Sequence, residues 1–201
     1  MGTRDINTEN TRQLILAAAE RVFLAKGFAG AALGEVAEAA GVTKSLIQYH
    51  FESKEGLWTA VCGRRSQAFL QALGRFTRAE APTLAQVRQD LDAYFRYLQA
   101  NPEVTRLLLW SDLDSASVAP GVDFMALQAA YFARAQQAGV VRTDVPCEFL
   151  AMQLAGLVEF WFQARHRLIV ANQATAAALH ALDERYAALV PSLFLEGAQG
   201  R

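Results

Sequence analysis

The sequence predicts an all-α protein, and three observations support this fold class. Of the 201 residues, 53% are hydrophobic, and only five prolines and thirteen glycines interrupt the chain, so helix is the expected structure. Apolar residues recur at intervals of three and four positions, whereas strand-like alternation of useful length is missing. Glycine, proline and asparagine punctuate the chain at intervals that suit helices.

The N-terminal part has the pattern of short helices separated by glycine. The apolar face of the first helix consists of Ile15, Ala18, Ala19, Val22 and Phe23. Gly27 is expected to end this helix in a left-handed conformation, and Gly41 to end the second. The predicted helices cover 11–26 and 33–40, a third begins near 44, and Ser53 opens a fourth that extends to about 76.

Beyond Pro82 the predicted helices become longer and more apolar. They are expected over 83–100, 103–114, 122–138, 146–171 and 173–195. The longest apolar stretches fall well short of the ~20 residues that a membrane helix needs. The chain also opens without the apolar stretch of a signal peptide, so we expect a soluble, cytoplasmic protein.

Charge and motif content argue against several functional classes. The net charge is −1 and the pI near 6.3, so overall basicity does not indicate a nucleic-acid partner. The three histidines His50, His166 and His180 lack metal-binding spacing, and neither a nucleophile elbow nor a phosphate-binding loop occurs. Cys62 and Cys147 are far apart and are interpreted as reduced structural thiols. We expect no enzyme activity, catalytic residue, metal site or cofactor.

The second and third helices are predicted to form a helix-turn-helix around Gly41. Ala37 lies where the two helices would cross, and Ile47 would anchor the third helix on the core. At about 100° per residue, the outward and flanking residues are then Thr43, Lys44, Ser45, Leu46, Gln48, Tyr49 and His50. This face is polar and neutral to positive, which suits a DNA major groove. An ordinary solvated helix pair has the same spacing.

Residues 11–58 resemble the N-terminal domain of the TetR (tetracycline-repressor) family of transcriptional regulators. The matching elements are TRQLILAAAERVFLAKGF, LGEVAEAAGVTKSLIQYHF and SKEGLW, in the family's order and at its separations. The resemblance implies a helix-turn-helix DNA-binding domain over 1–55 and a larger C-terminal helical domain for ligand binding and dimerisation over 56–201. It implies groove contacts from Lys44, Ser45 and Gln48, and phosphate contacts from Thr43, Tyr49, His50 and Lys54.

Two departures from the family pattern affect the expected DNA contacts. Ala31 and Ala32 stand where the family often has Thr or Ser, so a helix cap and a phosphate contact are expected to be missing. Gln48 stands where the family commonly has Tyr. Because Gln can bind adenine bidentately and Leu46 can contact a thymine methyl, we hypothesise an A·T-containing half-site. Over residues 1–55, six Lys and Arg accompany seven Asp and Glu, so binding must depend on local placement and weaken with salt.

The larger part is predicted to form a homodimer and to hold a small, largely apolar effector. Near-heptad leucines and small alanines along the last helix predict a dimer interface through about 146–171 and 173–195. The two recognition helices would then lie ~34–36 Å apart along DNA. The candidate pocket residues are Phe95, Trp110, Phe124, Tyr131, Gln153, Phe160 and Trp161, with Glu159 and His166 as further polar anchors. Core packing explains any one of these aromatic residues as well.

Two functional interpretations remain open at this stage. The first is a transcriptional repressor whose operator affinity falls when a ligand shifts the fourth helix and changes the spacing of the two recognition helices. The second is a helical ligand-binding or adaptor protein without DNA binding, which the acidic N-terminal balance and Ala32 favour.

Overall fold

The computed structural model describes residues 3–74, 76–78, 80–113, 124–172 and 175–198. Nine α-helices and no β-strand occur in these ranges, which confirms the predicted all-α fold class. The helices are α1 (Thr3–Gly30), α2 (Leu33–Ala40), α3 (Lys44–Phe51), α4 (Lys54–Ala72), α5 (Leu84–Ala100), α6 (Pro102–Leu113), α7 (Phe124–Gln137), α8 (Cys147–Asn172) and α9 (Ala176–Ala198). None of these described helices is both long and apolar enough to cross a membrane.

Most predicted helices agree with observed ones to within a few residues, but two limits differ. α1 begins at Thr3 rather than near Thr11, and its helical geometry breaks at Gly27, where φ is 70° and ψ is 177°. Gly27 therefore has the positive φ that was predicted, but an extended ψ instead of a left-handed helical one. α4 ends at Ala72, earlier than predicted, because the chain tightens into turns in which the Phe76 N–H donates to the carbonyl of Leu73 at 3.0 Å.

The chain forms two compact units. The N-terminal unit comprises Met1–Ala68 and Arg106–Val122, and the C-terminal unit comprises Phe69–Thr105 and Asp123–Arg201. α4 and α6 therefore each contribute residues to both units. These units do not follow the division at residue 55 that the sequence suggests, and the functional boundary between 1–55 and 56–201 stays a prediction.

The core of the N-terminal unit is built from the apolar faces of α1 to α4. The side chains of Phe23, Ile47 and Trp58 are almost fully buried, and the Trp58 and Phe23 rings meet edge to face at a centroid distance of 5.0 Å. Each buried apolar side chain of this size typically contributes ~1.5–3 kcal/mol. Trp110 of α6 covers Gly27, where an added Cβ would lie 2.7 Å from the indole ring. Only glycine therefore fits at position 27.

In the C-terminal unit, α5 packs on α8 and α9, and α7 packs on α8. Arg165 of α8 forms an ion pair with Asp183 of α9, whose side chain is nearly completely buried. The Trp161 Nε1–H donates to the same carboxylate at 2.9 Å, and the Trp161 ring stacks on Tyr186 at a centroid distance of 4.0 Å. The buried charge of Asp183 is thus balanced by an ion pair and a hydrogen bond, as buried charges require.

Candidate nucleic-acid interface and ligand site

The turn between α2 and α3 fixes the angle at which α3 leaves the core. Gly41 adopts a left-handed conformation (φ 65°, ψ 34°), and the following Val42 N–H donates to the carbonyl of Ala37 at 3.0 Å. Thr43 then caps α3, because its Oγ1 accepts from the Leu46 N–H at 3.3 Å. The predicted stop at Gly41 is confirmed, and Thr43 is the cap of α3.

The outer face of α3 carries the polar residues that the sequence predicts there. Ile47 is fully buried, whereas Tyr49 exposes 76% of its surface. The exposed residues of this segment are Thr43, Lys44, Ser45, Gln48 and Tyr49, and the half-buried ones are Leu46 and His50. The predicted orientation of α3 is therefore confirmed, and the contacts of these residues with DNA stay a prediction.

The side chains of two lysines beside this face are positioned by contacts within the N-terminal unit. Lys44 lies across α2, because a Cβ added at Gly34 would be 2.9 Å from Lys44 Cε. Lys54 Nζ donates to the carbonyl of Ala29 at 3.3 Å and lies 4.6 Å from the centroid of the Phe28 ring. Because an ammonium group has three donors, Lys54 retains hydrogen-bonding capacity for a phosphate.

The start of α2 has no side-chain cap from Ala32, as the sequence predicts. Instead, the Glu35 carboxylate accepts from the Ala32 N–H at 3.3 Å and pairs with Lys26 of α1. The hydrogen bond from Lys26 and, second, that from the Ala32 backbone lower the pKa of Glu35 below its usual value. Lys26 therefore compensates one of the acidic charges that weigh against DNA binding in this unit.

The connection from α3 to α4 is tight and has an unusual backbone conformation. Glu52 has φ 65° and ψ −51°, and the Ser53 N–H donates across it to the Phe51 carbonyl at 2.6 Å. Ser53 Oγ then accepts from the Gly56 N–H at 3.1 Å, which confirms Ser53 as the cap of α4. A Cβ at Gly56 would collide with the Phe51 carbonyl oxygen. The first turn of α4 is therefore in direct contact with the last turn of α3.

The seven residues predicted for an effector pocket lie in several different environments, and their role in ligand binding stays a prediction. Trp110 is partly buried and packs against the core of the N-terminal unit, over Gly27. Gln153 and Phe160 are exposed on α8. Phe95 and Trp161 both contact the same tyrosine ring on α9. The spacing of residues along a helix indicates a shared face, but it does not indicate which other helix covers that face.

Phe124 and Tyr131, the two remaining residues, belong to an aromatic cluster in the C-terminal unit. The members of this aromatic cluster are Phe69, Phe76, Tyr94, Phe124 and Tyr131. The shortest centroid distance is 4.2 Å, between Phe69 and Phe124, and most pairs meet edge to face or tilted. Aromatic pairs in such geometry typically stabilise a fold by ~0.5–1.5 kcal/mol each, in addition to the effect of burying their surface.

Polar groups are buried with these rings. The Tyr94 hydroxyl donates to Glu159, and burial, followed by the charge of Glu159, raises the pKa of Tyr94 well above its usual value. The Tyr131 hydroxyl donates to a carboxylate on α5 at 2.8 Å. Gln128 of α7 is completely buried. Glu159 is one of the polar anchors that the sequence predicts, whereas Gln128 is not, although it lies four residues after Phe124 and three before Tyr131 on the same side of α7.

α8 and α9 expose large apolar side chains, and these residues are called the α8–α9 apolar surface. Its members are Phe149, Met152 and Phe160 on α8, and Leu189 and Leu193 on α9. The α8 members and Gly156 share one face of the helix, because they are spaced by three or four residues. A Cβ added at Gly156 would meet no atom of this chain within 4 Å. Helix α8 is therefore open to close approach at this point.

The short, capped α3, which presents a polar outer face from a packed helical core, defines a helix-turn-helix protein of the DNA-binding type. Two family models match the chain. One, described as bacterial regulatory proteins of the tetR family, covers residues 15–61, and the other, described as the tetracyclin repressor-like C-terminal domain, covers residues 90–190. The chain belongs to the tetR family of bacterial regulatory proteins.

Individual relatives agree with this assignment. The HTH-type transcriptional activator FasR of Mycolicibacterium smegmatis is 30% identical over 111 residues, which are 55% of this chain and only 50% of FasR. The HTH-type transcriptional repressor NicS of Pseudomonas putida is 27% identical over 176 residues, 83% of this chain and 82% of NicS. The solved structure of SCO4942 from Streptomyces coelicolor has a TM-score of 0.72 and 24% identity, with 91% of this chain and 97% of that chain covered. This last likeness establishes the fold.

Proposed function

We propose that this protein is a dimeric, sequence-specific DNA-binding transcriptional regulator, acting as a repressor that a small, largely apolar ligand releases from its operator. The main observation in support of this proposal is the outer face of α3. Its exposed residues can donate to and accept from base edges and phosphates, while buried Ile47 fixes the opposite side of the helix. The similarity to the repressor NicS over most of both chains supports the same class of protein and the same direction of regulation.

The salt dependence of binding tests whether α3 is the DNA-contacting surface. Fluorescence anisotropy with the duplex upstream of the protein's own gene gives the slope of log affinity against log salt concentration. Lys44→Gln removes a predicted groove contact and a positive charge from α3, so it should weaken binding and lower the slope, by at most the ~0.9 that one neutralised phosphate contributes. Arg88→Gln removes the same charge from an exposed position on α5 and should change neither quantity. Equal effects of both variants, or no duplex binding by the unmodified protein, would contradict the proposal and leave a helical ligand-binding protein as the alternative.

The α8–α9 apolar surface is the proposed dimer interface. Five large apolar side chains are exposed there, and Gly156 permits a partner helix to approach closely. Gly156→Leu should raise the dimer dissociation constant at least tenfold in sedimentation velocity, because the added side chain separates the two subunits. Gly63→Leu, at a helical glycine of α4 where a Cβ also meets no atom within 4 Å, is the matched control and should remain a dimer. A Gly156→Leu protein that dimerises as well as the control would exclude this surface.

Release of the operator is proposed to act through α4. The first turn of α4 contacts the end of α3 at Gly56, and the same helix continues into the C-terminal unit beyond Ala68. A ligand that binds the C-terminal unit and favours another position of α4 would therefore alter the presentation of α3. Coupling of this kind typically amounts to ~1–3 kcal/mol, or about 5- to 150-fold in affinity. Operator titrations with and without a bound ligand measure it directly, and unchanged operator affinity would contradict the mechanism.

A further inference from the structure

Gln128 of α7 is a buried amide whose hydrogen-bonding groups are not satisfied by the protein. Its side chain is completely inaccessible to solvent, yet Oε1 has no hydrogen-bond partner among the described residues, and Nε2 has only its contact with the Tyr94 hydroxyl. A buried polar group without a partner is unfavourable, and the large majority of buried polar groups in native proteins are hydrogen-bonded. A leucine of similar size would fill the same space without this cost. The retention of glutamine therefore requires an explanation.

The surroundings of Gln128 indicate what such a group could bind. Phe124 lies four residues before it and Tyr131 three residues after it, so all three side chains lie along one side of α7 and adjoin the aromatic cluster. The Gln128 amide also acts on the Tyr94 hydroxyl, and this contact lowers the pKa of that hydroxyl against the larger raising effects of burial and of Glu159. The Tyr94 hydroxyl itself donates to Glu159. An amide donor and an amide acceptor are therefore held together among aromatic rings.

We propose that Gln128 is the recognition group of the effector site, and that the effector is a neutral molecule with a carboxamide or lactam edge on an aromatic body. This inference rests on the proposed function, because it identifies the ligand class of the regulator. A carboxamide or lactam presents one N–H donor beside one C=O acceptor. The ligand N–H can donate to Gln128 Oε1, and the ligand C=O can accept from Gln128 Nε2, so that two hydrogen bonds form side by side. The aromatic cluster would contact the ring of the ligand edge to face.

The charge of Glu159 restricts the ligand further. Its carboxylate accepts from Tyr94 beside the Gln128 amide, and its negative charge acts on that hydroxyl. A carboxylate ligand in the same place would be repelled and would lose its own hydration, which is costly in a buried site. A hydrocarbon offers no hydrogen-bonding group and would leave Gln128 Oε1 unpaired. Neutral donor-acceptor ligands are therefore preferred over both anionic and purely apolar ones.

Four probes with a common aromatic body separate these alternatives. They are 1-naphthamide, 2-quinolone, 1-naphthoate and 1-methylnaphthalene, each tested by thermal unfolding and isothermal titration calorimetry on the full chain. The amide and the lactam should raise Tm and bind at least tenfold more tightly than the acid and the hydrocarbon. Gln128→Leu should remove this preference and should raise the Tm of the protein without added probe, since it replaces an unpaired buried amide. Gln137→Leu, the same change at an exposed position of α7, should leave the preference intact.

Several results would overturn the proposal. These are the absence of any Tm shift with the amide and the lactam at millimolar concentration, equal binding of the hydrocarbon, or an unchanged preference in Gln128→Leu. Operator binding is measured on the same samples, so that the two proposals can fail separately. Amide-selective binding by a protein that binds no duplex would overturn the regulator and keep the ligand class. Duplex binding without amide selectivity would overturn the proposed ligand class and keep the regulator.

Discussion

The outer face of α3 and the aromatic cluster of the C-terminal unit use polar groups in opposite ways. On α3 the polar side chains are exposed, and the helix is held from the other side by Ile47. In the aromatic cluster the polar groups of Tyr94 and Gln128 are buried among rings, where each unsatisfied atom has a cost. Exposed groups of the first kind can bind a large, hydrated polyanion without a change in the fold. Buried groups of the second kind are suited to one small molecule that replaces the missing partner.

The largest effect is expected from a change to the buried ion pair of the C-terminal unit. Arg165→Met leaves the buried Asp183 carboxylate without its cation and should reduce the free energy of unfolding by ~3–5 kcal/mol. Urea denaturation followed by circular dichroism measures this loss. Arg167→Met, at an exposed position on the same helix, is the control and should remain within ~0.5 kcal/mol of the unmodified protein. Adding Asp183→Asn to Arg165→Met should recover part of the loss, and a failure to recover any would mean that charge burial is not the cause.

A smaller effect is expected at the junction of α3 and α4. Gly56→Ala forces a Cβ against the Phe51 carbonyl oxygen and should destabilise the protein by ~1–3 kcal/mol. Gly63→Ala on the same helix meets no atom within 4 Å and should stabilise by ~0.5–1 kcal/mol. The two variants differ only in position, so the same denaturation experiment compares them directly. Equal stabilities would show that α4 is not packed on α3 as described.

A still smaller effect on stability is expected from the exposed Lys26–Glu35 pair of the N-terminal unit, and this effect depends on pH. Because the pKa of Glu35 is lowered from its ordinary value of 4.5, its stabilising contribution is present above that pH and is lost as the pH falls through the lower, folded-state pKa. The unmodified protein should therefore melt at a slightly higher temperature than Glu35→Gln at pH 6, and the difference should shrink progressively as the pH falls below 4.5. Thermal scans from pH 6 to pH 3 check this. Glu38→Gln, an exposed glutamate on α2, is the control.

The last prediction concerns the chemical reactivity of the Cys62 thiol rather than the stability of the protein. Burial raises the pKa of Cys62 from 9.0 to about 12, so about a thousandfold fewer thiolates are present at pH 8. In a Cys147→Ser protein, Ellman's reagent should therefore react slowly with the folded state and rapidly after urea is added. Rapid reaction of the folded protein would mean that this side of α4 is more open than described.

The sequence predicted the α3 face well because the relevant physics is local. Helix geometry alone orients the residues around Ile47, and Gly41 and Thr43 mark the turn and the cap by their conformational preferences. Glu52 could not be predicted, because a positive φ is expected of glycine or asparagine rather than glutamate.

The surroundings of the predicted pocket residues could not be read from the sequence, because they depend on contacts between distant segments. Trp110 of α6 packs against the core of the N-terminal unit, which its aromatic character alone does not indicate. The burial of Gln128 was equally unpredictable, because a glutamine on a helix is usually exposed and only the packing of α7 buries it. The spacing of residues shows which of them share a helix face, but only the tertiary structure shows which segment packs on that face.

The most direct test of the central claim is selection of bound duplexes from a random DNA library, followed by sequencing, for the unmodified protein, Gln48→Ala and Gln67→Ala. Gln48 is on the outer face of α3, and Gln67 is an exposed glutamine on α4. The unmodified protein and Gln67→Ala should enrich the same two-fold symmetric site. Gln48→Ala should lose preference at an A·T pair in each half-site, at a cost of ~1–3 kcal/mol per pair. Enrichment of no sequence by the unmodified protein, or of the same ranking by Gln48→Ala, would contradict the claim that this face of α3 reads DNA.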